Sequence, residues 1–114
     1  MPHIVIEHST DGHAGFDAAA LMRALHHAAA GTGVVQAVDL KIRAMAFNDY
    51  LVGGARDGFC HVTLSMLEGR TPEQKVRLSE ALRASMMLLL PQTTSLSVDI
   101  RDMDATAYKK RLLG

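Results

Sequence analysis

Apolar and polar residues along the chain alternate with two different periodicities. Four stretches carry apolar residues at every second position or in short runs, which is typical of β-strands: residues 2–8, 37–47, 59–67 and 94–101. Residues 18–30 and 72–90 instead space apolar side chains three or four positions apart, as amphipathic helices do. The predicted order is therefore β-α-β followed by a second β-α-β.

The first predicted helix has a start signal and a stop signal. Phe16 and Asp17 resemble a hydrophobic staple followed by a helix cap, and Gly31 ends the helix. Its buried face is expected to contain Leu21, Leu25 and Ala28.

The second predicted helix has the strongest local signal. Thr71 caps it, Pro72 takes the first helical position, and Gln74 completes a Thr-x-x-Gln capping box. Pro91 stops the helix. Its buried stripe is expected to contain Leu78, Leu82, Met86 and Leu89, with Met87 also filling the core.

The second predicted strand has two clearly different faces. Val38, Leu40, Ile42 and Ala44 face one way, and Asp39, Lys41, Arg43 and Met45 face the other. Lys41 and Arg43 are thus placed side by side on one face. The stretch 48–58 is rich in turn residues, and the pattern of the tail, 105–113, assigns it to no element.

Two β-α-β units with right-handed crossovers make parallel strand pairs within each unit. We therefore predict an α+β fold (an α/β sandwich), with a four-stranded mixed sheet and two helices on one face. We expect one domain, 1–114, with pseudo-repeats at about 1–56 and 57–114. Val5, Phe59 and Leu67 would then lie on the uncovered face of the sheet, where oligomer contacts are expected.

Composition excludes several classes of protein. Hydrophobic residues make up 48% of the 114 residues, which excludes a disordered chain. Twelve basic residues balance 12 acidic ones, and nothing suggests a nucleic acid or an anionic membrane as partner. The longest apolar run, 86–90, is too short to span a bilayer. The one cysteine, Cys60, fits a reducing cytoplasm, and with no histidine or cysteine pair at a diagnostic spacing we expect no metal site.

The first candidate for chemistry is Pro2. If Met1 is removed, the nitrogen of Pro2 is a basic secondary amine, and the strand that contains Ile4 and Ile6 fixes it in place. α-Amino groups titrate near pH 7.7–8.0 in model peptides, so such an amine can act as a general base. On this stretch alone a structural role is favoured, because proline also opens edge strands at little cost.

The stretch from Leu67 to Lys75, Leu-Glu-Gly-Arg-Thr-Pro-Glu-Gln-Lys, resembles the signature of the tautomerase superfamily. Residues 2–7, Thr32-Gly33 and the basic strand at 41–43 are similar to one branch, the 5-carboxymethyl-2-hydroxymuconate Δ-isomerases. The resemblance implies the tandem β-α-β fold, a homotrimer, and an N-terminal proline that shuttles a proton. It also implies small carboxylated substrates and no metal or organic cofactor.

The resemblance further implies roles for individual residues. Pro2 matches the catalytic proline, and Arg70 matches the arginine that binds a carboxylate or polarises a 2-keto oxygen. The second cation of the relatives falls at Lys41, where arginine is the expected residue, and Arg43 on the same face is the alternative. Cys60 stands where shorter relatives have their proline, so one proline site per subunit is expected.

We therefore expect a cytoplasmic, cofactor-independent isomerase for an unsaturated 2-hydroxy or 2-keto carboxylic acid, acting in the breakdown of aromatic compounds. Pro2 and Arg70 would be catalytic, and Lys41 and Arg43 would bind substrate. The alternative is a non-catalytic trimeric binding protein for small organic acids, which applies if Met1 stays in place and makes the Pro2 nitrogen an amide.

Overall fold

The alternating and helical segments of the sequence form the predicted elements in a computed structural model that describes residues 1–114. The elements in chain order are β1 (His3–Ser9), α1 (Ala18–Gly31), a 3₁₀ turn (Ala37–Asp39), β2 (Lys41–Phe47), β3 (Phe59–Leu67), α2 (Pro72–Leu89) and β4 (Ser95–Met103). Neither helix has the length and apolar character needed to cross a membrane.

The four strands form one mixed sheet in the order β2-β1-β3-β4. β1 is parallel to β2 and β3 is parallel to β4, while the two central strands, β1 and β3, are antiparallel with His3 opposite Ser65. The two helices pack on one face, where alternate strand residues meet their apolar stripes. This core contains, among others, Ile4, Ile6, Val62, Leu64, Leu25, Leu82 and Met86, all fully buried. The predicted fold class is confirmed.

Both predicted helix starts have the expected hydrogen bonds. The Asp17 carboxylate accepts the Ala19 N–H at 3.0 Å. Thr71 Oγ1 accepts the Gln74 N–H at 3.2 Å, and the Gln74 side chain accepts the Thr71 N–H at 2.9 Å. These contacts satisfy N–H groups that have no partner inside the helix, which fixes where each helix begins.

The second strand begins later than predicted. Residues 37–39 form a 3₁₀ turn because the Asp39 N–H bonds to the Gln36 carbonyl at 3.0 Å. The predicted face of this strand is therefore wrong at Val38, which is 91% exposed while Leu40 packs against the core.

The buried stripe of α2 also differs at its end. Leu90, just past the helix, is 4% exposed and takes the core position that Leu89 was expected to fill. Met87 is 57% exposed and does not fill the core. On α1, Ala29 is fully buried, and the expected Ala28 packs beside it against the core, half-buried. Each difference is a shift of one position, which an apolar run such as 86–90 permits because any face of it is hydrophobic.

The uncovered face of the sheet is partly shielded by the chain itself. The Phe59 ring packs against Phe47 and Tyr50, with centroids 6.3 and 5.8 Å apart. Val5 and Leu67 are also half-buried in a single subunit. The turn-rich stretch 48–58 therefore supplies some of the cover that was expected from oligomer contacts.

A hydrogen-bonded cluster ties together three segments at the end of β1. Ser9 is fully buried, and its hydroxyl donates to the Asp11 carbonyl at 2.6 Å. Its oxygen therefore accepts the Phe59 N–H at 3.0 Å and a hydrogen from His13 Nε2 at 2.9 Å. His13 Nδ1 then accepts from the Thr93 hydroxyl at 2.7 Å. Burial, followed by the nearby His8, lowers the pKa of His13, which agrees with a neutral ring.

We predict that Ser9→Ala lowers the free energy of unfolding by about 1–3 kcal/mol, because it leaves the half-buried Phe59 N–H without its hydrogen-bond acceptor. Urea unfolding followed by circular dichroism measures the change. Ser65→Ala, at a half-buried position in the middle of β3, is the control and should change stability by less than about 0.5 kcal/mol. Equal losses in the two variants would contradict the assigned role of Ser9.

Candidate functional site

The sheet topology brings four chain segments to one end of the molecule. Because β1 and β3 are antiparallel, the start of β1 lies beside the end of β3. β2 starts beside the start of β1, and β4 ends beside the end of β3. Pro2, Lys41, Arg70 and the tail after Met103 therefore meet at this end, which we call the amino-terminal site.

Pro2 is held firmly at this end. It is buried, and its carbonyl accepts the backbone N–H of Lys41 at 3.1 Å. The adjacent α-amino group of Met1 has a pKa below its usual value. Burial is the main cause, followed by the positive charges of Lys110 and Arg70. Lys41 acts in the same direction and Asp39 opposes it.

Arg70 reaches the site from the segment between β3 and α2. Its guanidinium donates to the Leu67 carbonyl at 3.3 Å and to the Val34 carbonyl at 3.4 Å. The chain that follows enters α2, whose N-terminus adds positive potential. A guanidinium has five N–H donors, so these two contacts orient Arg70 and leave donors for an anion.

Lys41 and Arg43 occupy different places within the site. Lys41 donates from Nζ to the Asp39 carbonyl at 3.1 Å, and its charge acts on the amino terminus. Arg43 lies two residues further along β2, opposite Val5, and donates from Nη1 to His3 Nδ1 at 3.2 Å. Lys41 is thus the nearer cation to Pro2 along the strand, and Arg43 contacts the site through His3.

Three residues of this end were missed as site residues in the sequence. His3 Nε2 lies 3.0 Å from the Tyr108 hydroxyl, although 105 positions separate the two residues. Lys110 is exposed, as expected of a solvated charge, yet its charge acts on the amino terminus. No local pattern signals these contacts, because they join residues that are far apart in the sequence.

Other parts of the molecule offer weaker candidates. No three His, Cys, Asp or Glu side chains group as metal ligands would. The Ser9–His13 pair is not arranged as a nucleophile and base, since the Ser9 hydrogen is directed to the Asp11 carbonyl. The surface grooves lie elsewhere, between α2 and β4, between α1 and β2, and at the end of α2.

The same architecture occurs in solved structures. A fused 4-OT wild-type symmetric trimer has a TM-score of 0.80 at 20% identity, over 95% of this chain and 90% of that one. A 5-carboxymethyl-2-hydroxymuconate isomerase from Deinococcus radiodurans R1 has a TM-score of 0.84 at 22% identity, over 96% and 88%. A 5-carboxymethyl-2-hydroxymuconate delta-isomerase has a TM-score of 0.81 at 24% identity, over 98% and 88%. The chain therefore has the tautomerase fold.

The sequence profile of the 5-carboxymethyl-2-hydroxymuconate isomerases matches residues 2–112. The chain belongs to this family, and it is accordingly an isomerase of the tautomerase fold. Among curated protein sequences no match is found.

We predict that Lys110→Gln raises the pKa of the amino-terminal amine toward the ordinary value of 8.0. Removing a cation removes repulsion of the protonated amine, so the protonated form becomes more stable and the pKa rises. An NMR titration of the amine measures the shift. Lys109→Gln is the matched control because Lys109 is not among the charges that act on this amine. A fall in pKa, or equal shifts in both variants, would contradict this assignment.

Proposed function

We propose that the protein moves a proton on an unsaturated 2-hydroxy or 2-keto carboxylic acid similar to 5-carboxymethyl-2-hydroxymuconate. In this proposal Pro2, freed by removal of Met1, is both general base and general acid. The observation that carries the proposal is the burial and the positive charge around the amino terminus. The α-amino group of Met1, directly before Pro2, is partly buried at this end of the sheet, and burial, then Lys110, Arg70 and Lys41, lower its pKa. Removal of Met1 would place the Pro2 amine in the same surroundings.

The mechanism needs one amine that is unprotonated at neutral pH. A lowered pKa supplies the free base, which takes the hydroxyl proton of a 2-hydroxy (enol) acid or the carbon-bound proton next to the carbonyl of a 2-keto acid. The dienolate that forms carries negative charge on oxygen, and the guanidinium of Arg70 stabilises it. The protonated Pro2 amine then returns the proton to a different carbon. The double bond has moved, and the amine is again free.

The remaining cations suit the anionic groups of the substrate. Lys41 is half-buried and next to Pro2 in the sheet, so it would bind a carboxylate near the reacting carbon. Arg43 is exposed and lies two residues beyond Lys41 on β2, so it would meet the distal end of a longer diacid. A lysine ammonium is a point charge, whereas an arginine guanidinium binds a carboxylate through two parallel N–H groups. Lys41 is therefore expected to select less strongly for the orientation of the substrate carboxylate.

We predict that activity depends on the state of the amino terminus. Protein that keeps Met1 should be inactive, because its Pro2 nitrogen is an amide. The same protein treated with methionine aminopeptidase should ketonise an enol acid, followed by ultraviolet absorbance. Arg70→Ala should lower kcat/KM by about 100- to 1000-fold, whereas Arg77→Ala, on the exposed face of α2, should leave it unchanged.

The alternative function is non-catalytic binding of small organic acids. It is favoured if Met1 is retained in protein from the native host, which mass spectrometry determines. Full activity with Met1 in place, or in both Pro2→Ala and Arg70→Ala, would contradict the proline mechanism.

We further propose that the protein assembles as a homotrimer. Both edge strands, β2 and β4, have an unpaired side, which soluble proteins normally cover. Each edge is flanked by a groove against a helix, and the apolar side chains of Val38 and Met45 are 91% and 55% exposed. The trimer named for the similar fused 4-OT structure supports the same assembly.

We predict a mass in light scattering of three times the 12.3 kDa subunit. Met45→Lys should shift the protein toward smaller species, because it places a charge on an exposed apolar position of the edge strand β2. Ala84→Lys adds the same charge at an exposed position of α2 that lines neither groove, so it is the control and should stay trimeric. A monomer at micromolar concentration would overturn the proposed assembly.

A further inference from the structure

The tail after β4 folds back over the amino-terminal site. The Ala105 N–H donates to the Glu68 carboxylate at 3.0 Å, and the Tyr108 N–H donates to the Asp104 carbonyl at 3.0 Å. Asp104 also accepts the Thr106 N–H, at 2.9 Å. These contacts close a turn that delivers the Tyr108 ring to His3, edge-on, with ring centroids 5.9 Å apart.

The hydrogen bonds of His3 fix which atoms carry hydrogens. Arg43 can only donate, so His3 Nδ1, 3.2 Å from its Nη1, must accept. The hydrogen of the neutral ring is then on Nε2, and it is donated to the Tyr108 oxygen at 3.0 Å. Burial, then the charges of Arg43 and Lys41, lower the pKa of His3, which agrees with a neutral ring. The phenolic hydrogen of Tyr108 is therefore not used in this chain of bonds.

An unused donor surrounded by positive charge suits an anion. Arg43 and Lys41 lie beside His3, and Lys110 follows two residues after Tyr108. We propose that the Tyr108 hydroxyl donates a hydrogen bond to a carboxylate oxygen of the bound acid, and that His3 is the positioning residue that orients Tyr108. This inference rests on the proposed function, because it assigns a substrate contact in that same site.

Tyr108→Phe tests the contact by removing one oxygen atom and keeping the ring. With Met1-free protein and an enol diacid, KM should rise about 10- to 100-fold, as expected for loss of one hydrogen bond to a charged group. The matched control is Tyr50→Phe, which removes the same atom from the only other tyrosine, whose buried hydroxyl has no hydrogen-bond partner. Its KM should stay unchanged.

Two substitutions at His3 test its positioning role. His3→Gln keeps an oxygen to accept from Arg43 and an N–H to donate to Tyr108, so KM should stay within about threefold of the parent. His3→Leu keeps the bulk and loses both bonds, so its KM should approach that of Tyr108→Phe. If Gln and Leu behave alike, His3 does not position Tyr108.

The outcomes separate this inference from the proposed function. If the parent ketonises the enol acid and Tyr108→Phe has an unchanged KM, the inference is overturned and the function stands. If the Met1-free parent has no activity, the proposed function fails. Calorimetric binding of 2-oxoadipate then decides: weaker binding by Tyr108→Phe than by the parent supports the contact. Equal binding, or no binding by either protein, overturns it.

Discussion

The antiparallel pairing of β1 with β3 is the contact on which the rest of the structure depends. It joins two β-α-β units, each of which pairs its own strands in parallel. A slip of one residue would turn Ile4 and Ile6 from the core to the uncovered face, so burial of these side chains fixes the register. The same register sets Pro2 beside the end of β3, and hence within the influence of Arg70. The site is thus positioned by the core.

Much of the fold follows from local sequence, and much of the site does not. The Thr71–Gln74 capping box and the alternation in the strands need only neighbouring residues, and both were predicted correctly except at the start of the second strand. Alternation alone could not separate the 3₁₀ turn at Ala37–Asp39 from the strand that follows. The alternation of apolar and polar residues runs through both segments without a break. The motif around Arg70 indicated one side of the site. The contact of His3 with Tyr108 joins residues 105 positions apart, and no periodicity in the sequence reports it.

The charges of a chain with no net charge are unevenly distributed in this structure. Lys41, Arg70 and Lys110 all act on the amino terminus, and Asp39 is the one acid that opposes them. Burial and these cations together lower the pKa of the amine, and the same cations make this end of the sheet electrostatically favourable for an anion. Burial and the nearby cations lower the pKa of His3, which agrees with its role as a link in a hydrogen-bond chain between Arg43 and Tyr108.

The antiparallel pairing of β1 with β3 relates the two β-α-β units by an approximate two-fold axis, so the starts of β1 and β3 lie at opposite ends of the sheet. The start of β3 there corresponds to the start of β1. Cys60 is fully buried, and burial raises the pKa of its thiol to about 12, so it stays protonated. The hydrogen-bonded cluster of Ser9, His13 and Thr93 lies at the same end, where Ser9 accepts the N–H of Phe59, the residue before Cys60. At the same end Gly12 and Gly58 pass so closely that a Cβ on Gly12 would lie 2.5 Å from the Gly58 Cα. The second end of the sheet is therefore closed by packing. The duplicated fold thus has a buried thiol at one end of the sheet and, at the other, the amino terminus with its neighbouring cations.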